Sequence, residues 1–186
     1  MQHTREDALQ LLNSFVTSDS LKKHCLCVEA AMRVYAQKSG ADSDLWGITG
    51  LLHDLDYEKH PDKHPFFAVD LLKEKGYPKD LTTAILGHAL YANTPRETQL
   101  AKTLFAVDEL SGFVMACAHV RPDGFSGMTP KSVRKKLKTA RFAEKVNRDE
   151  IAQGVDELGI DETEHIQTVI DALSGIAEEL GFGAVK

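Results

Sequence analysis

The sequence predicts an all-α protein, because its apolar residues recur at helical spacing and most candidate helices have recognisable ends. The clearest stripe contains Leu21, Cys25, Val28, Met32 and Tyr35, which follow the i, i+4, i+7 spacing of one buried helix face. No segment shows the convincing alternation of apolar and polar residues that marks a half-buried strand. We therefore expect a helical bundle joined by polar loops.

Capping residues and glycines divide the first half of the chain into five predicted helices. These helices run from Thr4 to about Val16, from Ser20 to Gly40, from Asp42 or Ser43 to His53-Asp54, from His64-Pro65 to Gly76, and from Pro78 through His88. Asp7 lies three residues after Thr4, as in a capping box. A polar loop, residues 58–63, follows the His-Asp pair.

The second half begins with a longer helix and ends with three shorter ones. Residues 94–97, Thr-Pro-Arg-Glu, resemble a capping box with proline at the first helical position, and they predict a sixth helix through about His119. Residues 121–128 contain two glycines and a proline and are predicted to be a linker. The remaining helices are predicted to start at Thr129-Pro130, Asn147 and Asp161, and the last two to end at Gly159 and Gly181.

The length of 186 residues is enough for one full core and a small addition to it. We expect residues 1–120 to form the helical domain that carries the functional site. Residues 121–186 are predicted to be a linker and helical extension packed on that domain as one structural unit.

Charge and cysteine usage restrict the class of partner. The net charge of −6 argues against non-specific nucleic-acid binding, which needs a basic surface. Residues 1–10 lack the features of a signal peptide, and no apolar run approaches the about 20 residues that span a bilayer. The three cysteines, an odd number without zinc-finger spacing, predict reduced thiols. We expect a cytoplasmic protein without a membrane partner.

Several polar residues occupy positions where the helical pattern expects apolar ones. His24 and His88 lie on buried stripes, Asp108 follows Leu104 by four residues, and His53-Asp54 ends an apolar helix. Singly, each residue is explained by a core hydrogen bond or an ion pair. Together they predict a metal site, because an unpaired buried carboxylate costs several kcal/mol and helical bundles build metal sites from inward side chains on facing helices.

These residues, in the order His24, His53-Asp54, Asp108, resemble the H…HD…D signature of the HD superfamily of metal-dependent phosphohydrolases. The apolar approach to the pair in residues 50–54 is similar to the family pattern, as are residues 85–88 and 106–108. The similarity covers roughly residues 20–115. The whole chain resembles stand-alone bacterial HD-domain proteins with a helical tail, so the implied fold is an HD-domain helical bundle with a C-terminal helical extension.

The resemblance implies one or two divalent transition metals, which histidine and carboxylate ligands restrict to Mn, Fe, Co, Ni or Zn. The first metal would be held by His24, His53, Asp54 and Asp108, and Asp54 would bridge to a second metal held by His64 and His88. His60 competes with His64 for this role. The sequence departs from the family pattern at two places next to these residues. Leu55-Asp56 occupies the positions of Ile-Gly, and Ala89 occupies the position where some members have a second histidine.

The implied activity is hydrolysis of a small nucleotide-like phosphate ester or anhydride by a metal-activated water. Asp54 would take part in catalysis as the ligand that bridges the two metals. Asp56 or Glu58 would accept a proton from the water, unless Asp56 is only a helix-end residue. The candidates for phosphate binding are Arg96 and, from the basic run 131–141, Lys131 and Lys135. The alternative for that run is a solvated helix face.

Two other functions remain open from the sequence. Some HD-fold proteins that resemble this ligand set hold two irons and activate oxygen, so the chain is alternatively a di-iron oxygenase. A non-catalytic module that binds a metal or a ligand is the other alternative.

Overall fold

The computed structural model describes residues 3–183, and the all-α prediction is confirmed for them. Their helices are α1 Arg5–Phe15, α2 Asp19–Ser39, α3 Ser43–Leu52, α4 Phe66–Glu74, α5 Lys79–His88, α6 Gln99–His119, α7 Pro130–Leu137, α8 Arg148–Leu158 and α9 Glu162–Ser174. Short 3-10 segments occupy Pro61–Lys63 and Leu90–Ala92. Residues 1–2 and 184–186, which belong to the two predicted domains, lie outside the described residues. None of the helices in the described range has the length and apolarity to cross a bilayer.

Helices α2 and α6, with 21 residues each, form the centre of the bundle. Helix α3 packs on α2, while α5 and α8 pack on α6. Gly50 of α3 lies against the backbone of α2, where an added Cβ would be 2.9 Å from both the nitrogen of Glu29 and the carbonyl of Val28. This close approach brings the end of α3, with His53, next to the face of α2 that carries His24.

The crossing of α2 and α3 makes a first stability prediction. Gly50→Ala places a Cβ against backbone that has little freedom to move, so we expect overpacking to lower the free energy of unfolding by about 1–3 kcal/mol. Gly112→Ala in α6 is the matched control, because its Cβ would be 3.7 Å from the nearest atom and helix propensity favours alanine by about 1 kcal/mol. Urea unfolding of both variants measures the difference. Equal stability of the two variants would contradict the close contact.

Glu29 joins the first three helices through a buried ion-pair network. Its side chain is 3% exposed and accepts from Arg5 at 2.6 and 3.0 Å and from Arg33 at 2.9 Å. Arg33 also donates to Asp44 at 3.0 Å, at the start of α3. Because both arginines satisfy the buried carboxylate, the network fixes α1 and the start of α3 against α2.

The C-terminal helices pack directly on the helices that carry candidate ligands. Gly154 of α8 lies so close to Ala106 of α6 that an added Cβ would be 2.6 Å from its Cα. His165 of α9, fully buried, donates from Nε2 to the carbonyl of Ala106 at 3.0 Å and accepts from Tyr35 at Nδ1 at 2.6 Å. Burial lowers the pKa of His165, which favours this neutral form. We therefore propose that the extension and the helical domain form one structural unit.

Some predicted helix ends were wrong. The capping residue of α6 is Thr98, which accepts from Ala101 N–H, whereas Thr94 donates to a carbonyl in the preceding turn. Residues 94–97 are therefore not a capping box. Helix α9 ends at Ser174, because Gly175 is a poor helix former and the chain then turns to bury Leu180.

The predicted linker is an ordered turn. The side chain of Arg121 donates to the carbonyls of Gly124 and Ser126, and both Phe125 and Met128 are buried. The segment therefore packs against the bundle.

Candidate metal centre

The bundle brings together all six residues proposed as metal ligands. They come from five places: His24 in α2, His53 and Asp54 at the end of α3, His64 in the turn before α4, His88 at the end of α5, and Asp108 in α6. Five of them line an open cavity of about 400 Å³, and the sixth, His53, is fully buried behind them. Residues up to 84 positions apart in the sequence therefore meet at one site.

Four of these side chains form a first cluster of donor atoms. His24 Nε2 lies 3.0 Å from Asp108 Oδ1 and 3.2 Å from His53 Nε2. His53 Nε2 lies 3.3 Å from the same Asp108 oxygen. Asp54 Oδ2 completes the group at 3.5 Å from His53 Nε2 and 3.7 Å from His24 Nε2. Four nitrogen and oxygen donors at this spacing suit one divalent transition metal.

A second cluster lies on the other side of Asp54. His64 Nε2 and His88 Nε2 are 3.2 Å apart. Asp54 Oδ1 lies 3.5 Å from the former and 3.6 Å from the latter. Asp54 therefore presents one carboxylate oxygen to each cluster. The combination of His53, Asp54 and His88 also has ligand atoms that all lie within 4.8 Å of one another, so the two clusters adjoin.

The hydrogen bonds of the imidazole rings fix which nitrogen faces the centre. Three rings donate from Nδ1: His53 to Gly50 O at 2.7 Å, His64 to Asp56 Oδ1 at 2.7 Å, and His88 to Ile85 O at 2.5 Å. A neutral ring that donates from Nδ1 has a lone pair at Nε2. The Nε2 lone pairs of His64 and His88 thus face each other at 3.2 Å, an arrangement that a cation between them stabilises. The donor set therefore fits metal binding.

The charges at the centre also favour a cation. Burial lowers the pKa of His53, but the carboxylates of Asp54 and Asp108 outweigh burial and raise it to about 9. Burial raises the pKa of both carboxyl groups, yet the adjacent imidazoles hold both pKa values well below the usual range for aspartate. Both carboxylates are thus ionised at neutral pH, and they attract either protons on the histidines or metal ions.

Asp56 does not line the cavity, so the geometry does not support its predicted role as proton acceptor. It is fully buried, and its two oxygens accept from His64 Nδ1 at 2.7 Å and from Ala68 N–H at 2.8 Å. Glu58, the other candidate acceptor, is bound to the backbone of Thr17 and Ser18. Asp56 instead holds the ring of His64 with Nε2 towards the second cluster and joins it to the start of α4.

This arrangement makes a second prediction. Asp56→Asn replaces the carboxylate that holds His64, and loss of such a partner lowers metal affinity by about 10- to 100-fold. We expect that loss at the second cluster only, because Asp56 has no contact with the first. Competition with a chromogenic chelator measures both affinities. Asp62→Asn, an exposed residue in the neighbouring 3-10 segment, is the control. Equal affinities in the two variants would contradict the orienting role.

The structure separates the two histidines that competed in the sequence. His60 packs against Phe67, with ring centroids 3.9 Å apart. His64 is buried and faces His88. We therefore retain His64 as the proposed ligand.

The predicted phosphate-binding residues lie away from the cavity. Arg96 donates to both carboxylate oxygens of Glu157 at 2.7 and 2.6 Å and to Gly87 O at 2.8 Å, so its fork is already occupied. Lys131 and Lys135 are exposed on α7 and do not line the cavity. Within residues 3–183, the cavity lining contains no lysine or arginine. The geometry therefore gives no support to these three predicted phosphate-binding residues.

The sequence analysis missed several residues at the cavity. Tyr57 and Tyr91 are 54% and 62% exposed, and Tyr91 donates to the carbonyl of His64 at 2.8 Å. Glu109 and Glu150 line the opposite wall. Burial, followed by the charge of Asp108, raises the pKa of Glu109 to about 7. The only signal in the sequence was Glu109 itself, which shares with Asp108 a helical segment without other charges.

Comparison with known proteins gives one match. Residues 21–112 match the family model described as HD domain, so the matched region begins three residues before His24 and ends four residues after Asp108. It contains all six proposed ligands and stops within α6. No curated protein and no solved structure matches the chain.

Proposed function

We propose, since residues 21–112 belong to the HD domain family, that this protein is a metal-dependent phosphohydrolase with a two-metal centre. The family is generally one of metal-dependent hydrolases. The observation that carries the proposal is the position of Asp54, whose two oxygens face separate groups of imidazole nitrogens at 3.5–3.7 Å. A carboxylate between two such groups suits the bridging ligand of a dinuclear site.

Each protein group has a defined part in this proposal. His24, His53, Asp54 and Asp108 would hold one metal, and Asp54, His64 and His88 the other. The bound metals would supply Lewis acidity towards a phosphoryl oxygen and an activated water. Asp56 accepts from the ring of His64, and the hydroxyl of Tyr91 donates to its backbone carbonyl, so the two together fix the position of His64. Glu109, whose carboxylate lines the cavity, takes the proton-accepting role that the sequence had assigned to Asp56.

The charge of the cavity narrows the proposed substrate. No lysine or arginine among the described lining residues can balance further phosphate groups, and Glu109 and Glu150 stand on the cavity wall. A second phosphate beyond the metals would approach these carboxylates and be repelled. Of the two substrate types predicted from the sequence, we therefore propose a small phosphate monoester over a phosphate anhydride.

The test is phosphate release by protein loaded with Mn, Fe, Co, Ni or Zn, with elemental analysis of the same samples. We expect release from small monoesters to require metal, and the kcat/KM for a nucleoside monophosphate to exceed that for the corresponding diphosphate. If fully loaded protein released no phosphate from any ester or anhydride, the proposal would be overturned.

One observation favours the second candidate, a di-iron oxygenase. The described cavity lining contains no lysine or arginine. This lack of cationic side chains disfavours a phosphate substrate, but it does not disfavour an uncharged substrate that is oxidised. Oxygen consumption by iron-loaded protein, without phosphate release, would identify that activity.

Removal of metal is expected to lower stability. Asp54 and Asp108 are ionised and largely buried, so the metal-free protein has like charges close together. A metal at a hundredfold excess over its dissociation constant stabilises the folded state by about 2.7 kcal/mol. We expect chelation to lower the melting temperature of wild type and to leave that of Asp54→Ala unchanged. A wild-type melting temperature that stays constant after confirmed metal loss would contradict the prediction.

A further inference from the structure

An apolar groove extends from the metal centre between the start of α2 and the second half of α6. This groove has a volume of about 380 Å³ and is lined by Asp19, Ser20 and Lys23 of α2 and by Met115, Ala116 and His119 of α6. His24 and Gly112 line both the groove and the cavity of the metal centre. The groove therefore adjoins that cavity at these two residues and has the size of a small-molecule pocket.

The junction between cavity and groove lies at Gly112. Gly112 follows Asp108 by four residues on α6, so the two lie on the same helix face. A Cβ at position 112 would be 3.7 Å from Nδ1 of His24. Because glycine has no side chain, no Cβ stands beside His24 at the edge that the cavity and the groove share. A large side chain at this position would extend into the groove.

His24 has a hydrogen-bond donor without a protein acceptor at this junction. Unlike His53, His64 and His88, it makes no Nδ1 hydrogen bond among the described residues. Its Nε2 faces Asp108 and His53, so a neutral ring with Nε2 on a metal carries its proton on Nδ1. The side chain is 22% exposed. This donor faces Gly112 and is available to a ligand that lies across the junction.

The groove itself is suited to an apolar group. Met115, Ala116 and Gly112 provide carbon surface, while the ammonium group of Lys23 is paired with Asp19 at 2.9 Å at the rim. Among the described lining residues, no lysine or arginine is left unpaired for an anionic group, whereas an aromatic or alkyl group would remove apolar surface from water.

We propose that the groove is the subsite for the alcohol part of the substrate, and that Gly112 determines which alcohols fit. The substrate class is a phosphate monoester of an aromatic or otherwise apolar alcohol, with the Nδ1–H of His24 donating to an acceptor over Gly112. This inference rests on the proposed phosphohydrolase activity for its substrate and on the groove for its specificity.

The test combines hydrolysis with binding. Wild type, Gly112→Ala and Gly112→Leu are compared for kcat/KM on 1-naphthyl phosphate and on methyl phosphate. Binding of 1-naphthol, the product alcohol, is followed by its fluorescence and does not depend on turnover. Ala116→Leu is a second test of the groove, because it narrows the groove one helical turn beyond Gly112 on α6. Metal content and melting temperature are measured for every protein.

We expect Gly112→Leu and Ala116→Leu to lower the ratio of kcat/KM for naphthyl over methyl phosphate by at least about tenfold, and to weaken naphthol binding by a similar factor. Gly112→Ala should change both values less than threefold, since its Cβ makes an ordinary contact. The proposed subsite would be overturned if wild type and both leucine variants had the same ratio of kcat/KM values and the same affinity for naphthol. It would also be overturned if wild type did not bind naphthol. If no protein releases phosphate but naphthol binding follows the expected order, the subsite stands and the proposed hydrolysis fails.

Discussion

Asp54→Ala is expected to lose both metal ions and nearly all turnover. Asp54 places one carboxylate oxygen towards each cluster, with Oδ2 towards His24 and His53 and Oδ1 towards His64 and His88. Its removal takes one ligand oxygen from each cluster and the single negative charge that they share. We expect activity to fall about a thousandfold or more, which corresponds to about 4 kcal/mol of lost transition-state stabilisation. Elemental analysis and phosphate release on the same sample measure the two losses.

Asp62→Ala is the control for this variant, because Asp62 is an exposed acid in the adjacent 3-10 segment. It should keep wild-type metal content and turnover. His53→Ala should lose the metal of the first cluster together with turnover, since His53 faces Asp54 and Asp108 at 3.5 and 3.3 Å. Full metal content with full turnover in either ligand variant would refute the metal centre.

His88→Ala separates one metal from two. His88 contacts the second cluster through His64 at 3.2 Å and Asp54 at 3.6 Å. We expect the ratio of metal to protein to fall from near two to near one, because the four donors of the first cluster remain. Turnover is expected to fall by about a hundredfold or more, since the second metal stabilises charge on the phosphoryl group. Metal stoichiometry and turnover are measured beside wild type at saturating metal.

His60→Ala is the matched histidine variant. His60 packs on Phe67 outside the metal cluster, so its loss should leave the stoichiometry at two and the turnover unchanged. A wild-type ratio near one, together with an active His88→Ala, would mean that His88 is a core histidine. The centre would then be mononuclear.

The helical fold and the set of candidate ligands could be predicted from the sequence because both depend on local patterns. Helix periodicity and capping residues are properties of neighbouring positions, and the ends of α1 and α2 were located within one or two residues. His24, His88 and Asp108 stood out because each interrupts an apolar stripe. Burial of the polar residue then required a partner, and the metal cluster supplies one.

The site predictions that the geometry does not support concern side chains whose partners could not be read from the local pattern. Arg96 pairs with Glu157, 61 positions away, and no local pattern indicates that contact. Asp56 was assigned by proximity to Asp54, but the turn directs it to His64 and Ala68. The predicted start of α6 was wrong because Thr94 and Thr98 are both suitable caps, and it is Thr98 that accepts from Ala101 N–H.

The close contact at Ala106 limits how this sequence can change during evolution. Ala106 lies two positions before Asp108, and both Gly154 and His165 of the extension touch it. A larger residue at position 106 or 154 has no room, so it could persist only after a compensating change in the other helix. Substitutions in the extension thus depend on substitutions in α6, the helix that carries the proposed ligand Asp108. This holds although the extension lies outside the residues that match the HD domain model. We expect the two segments to be inherited together and not to be exchanged independently by recombination.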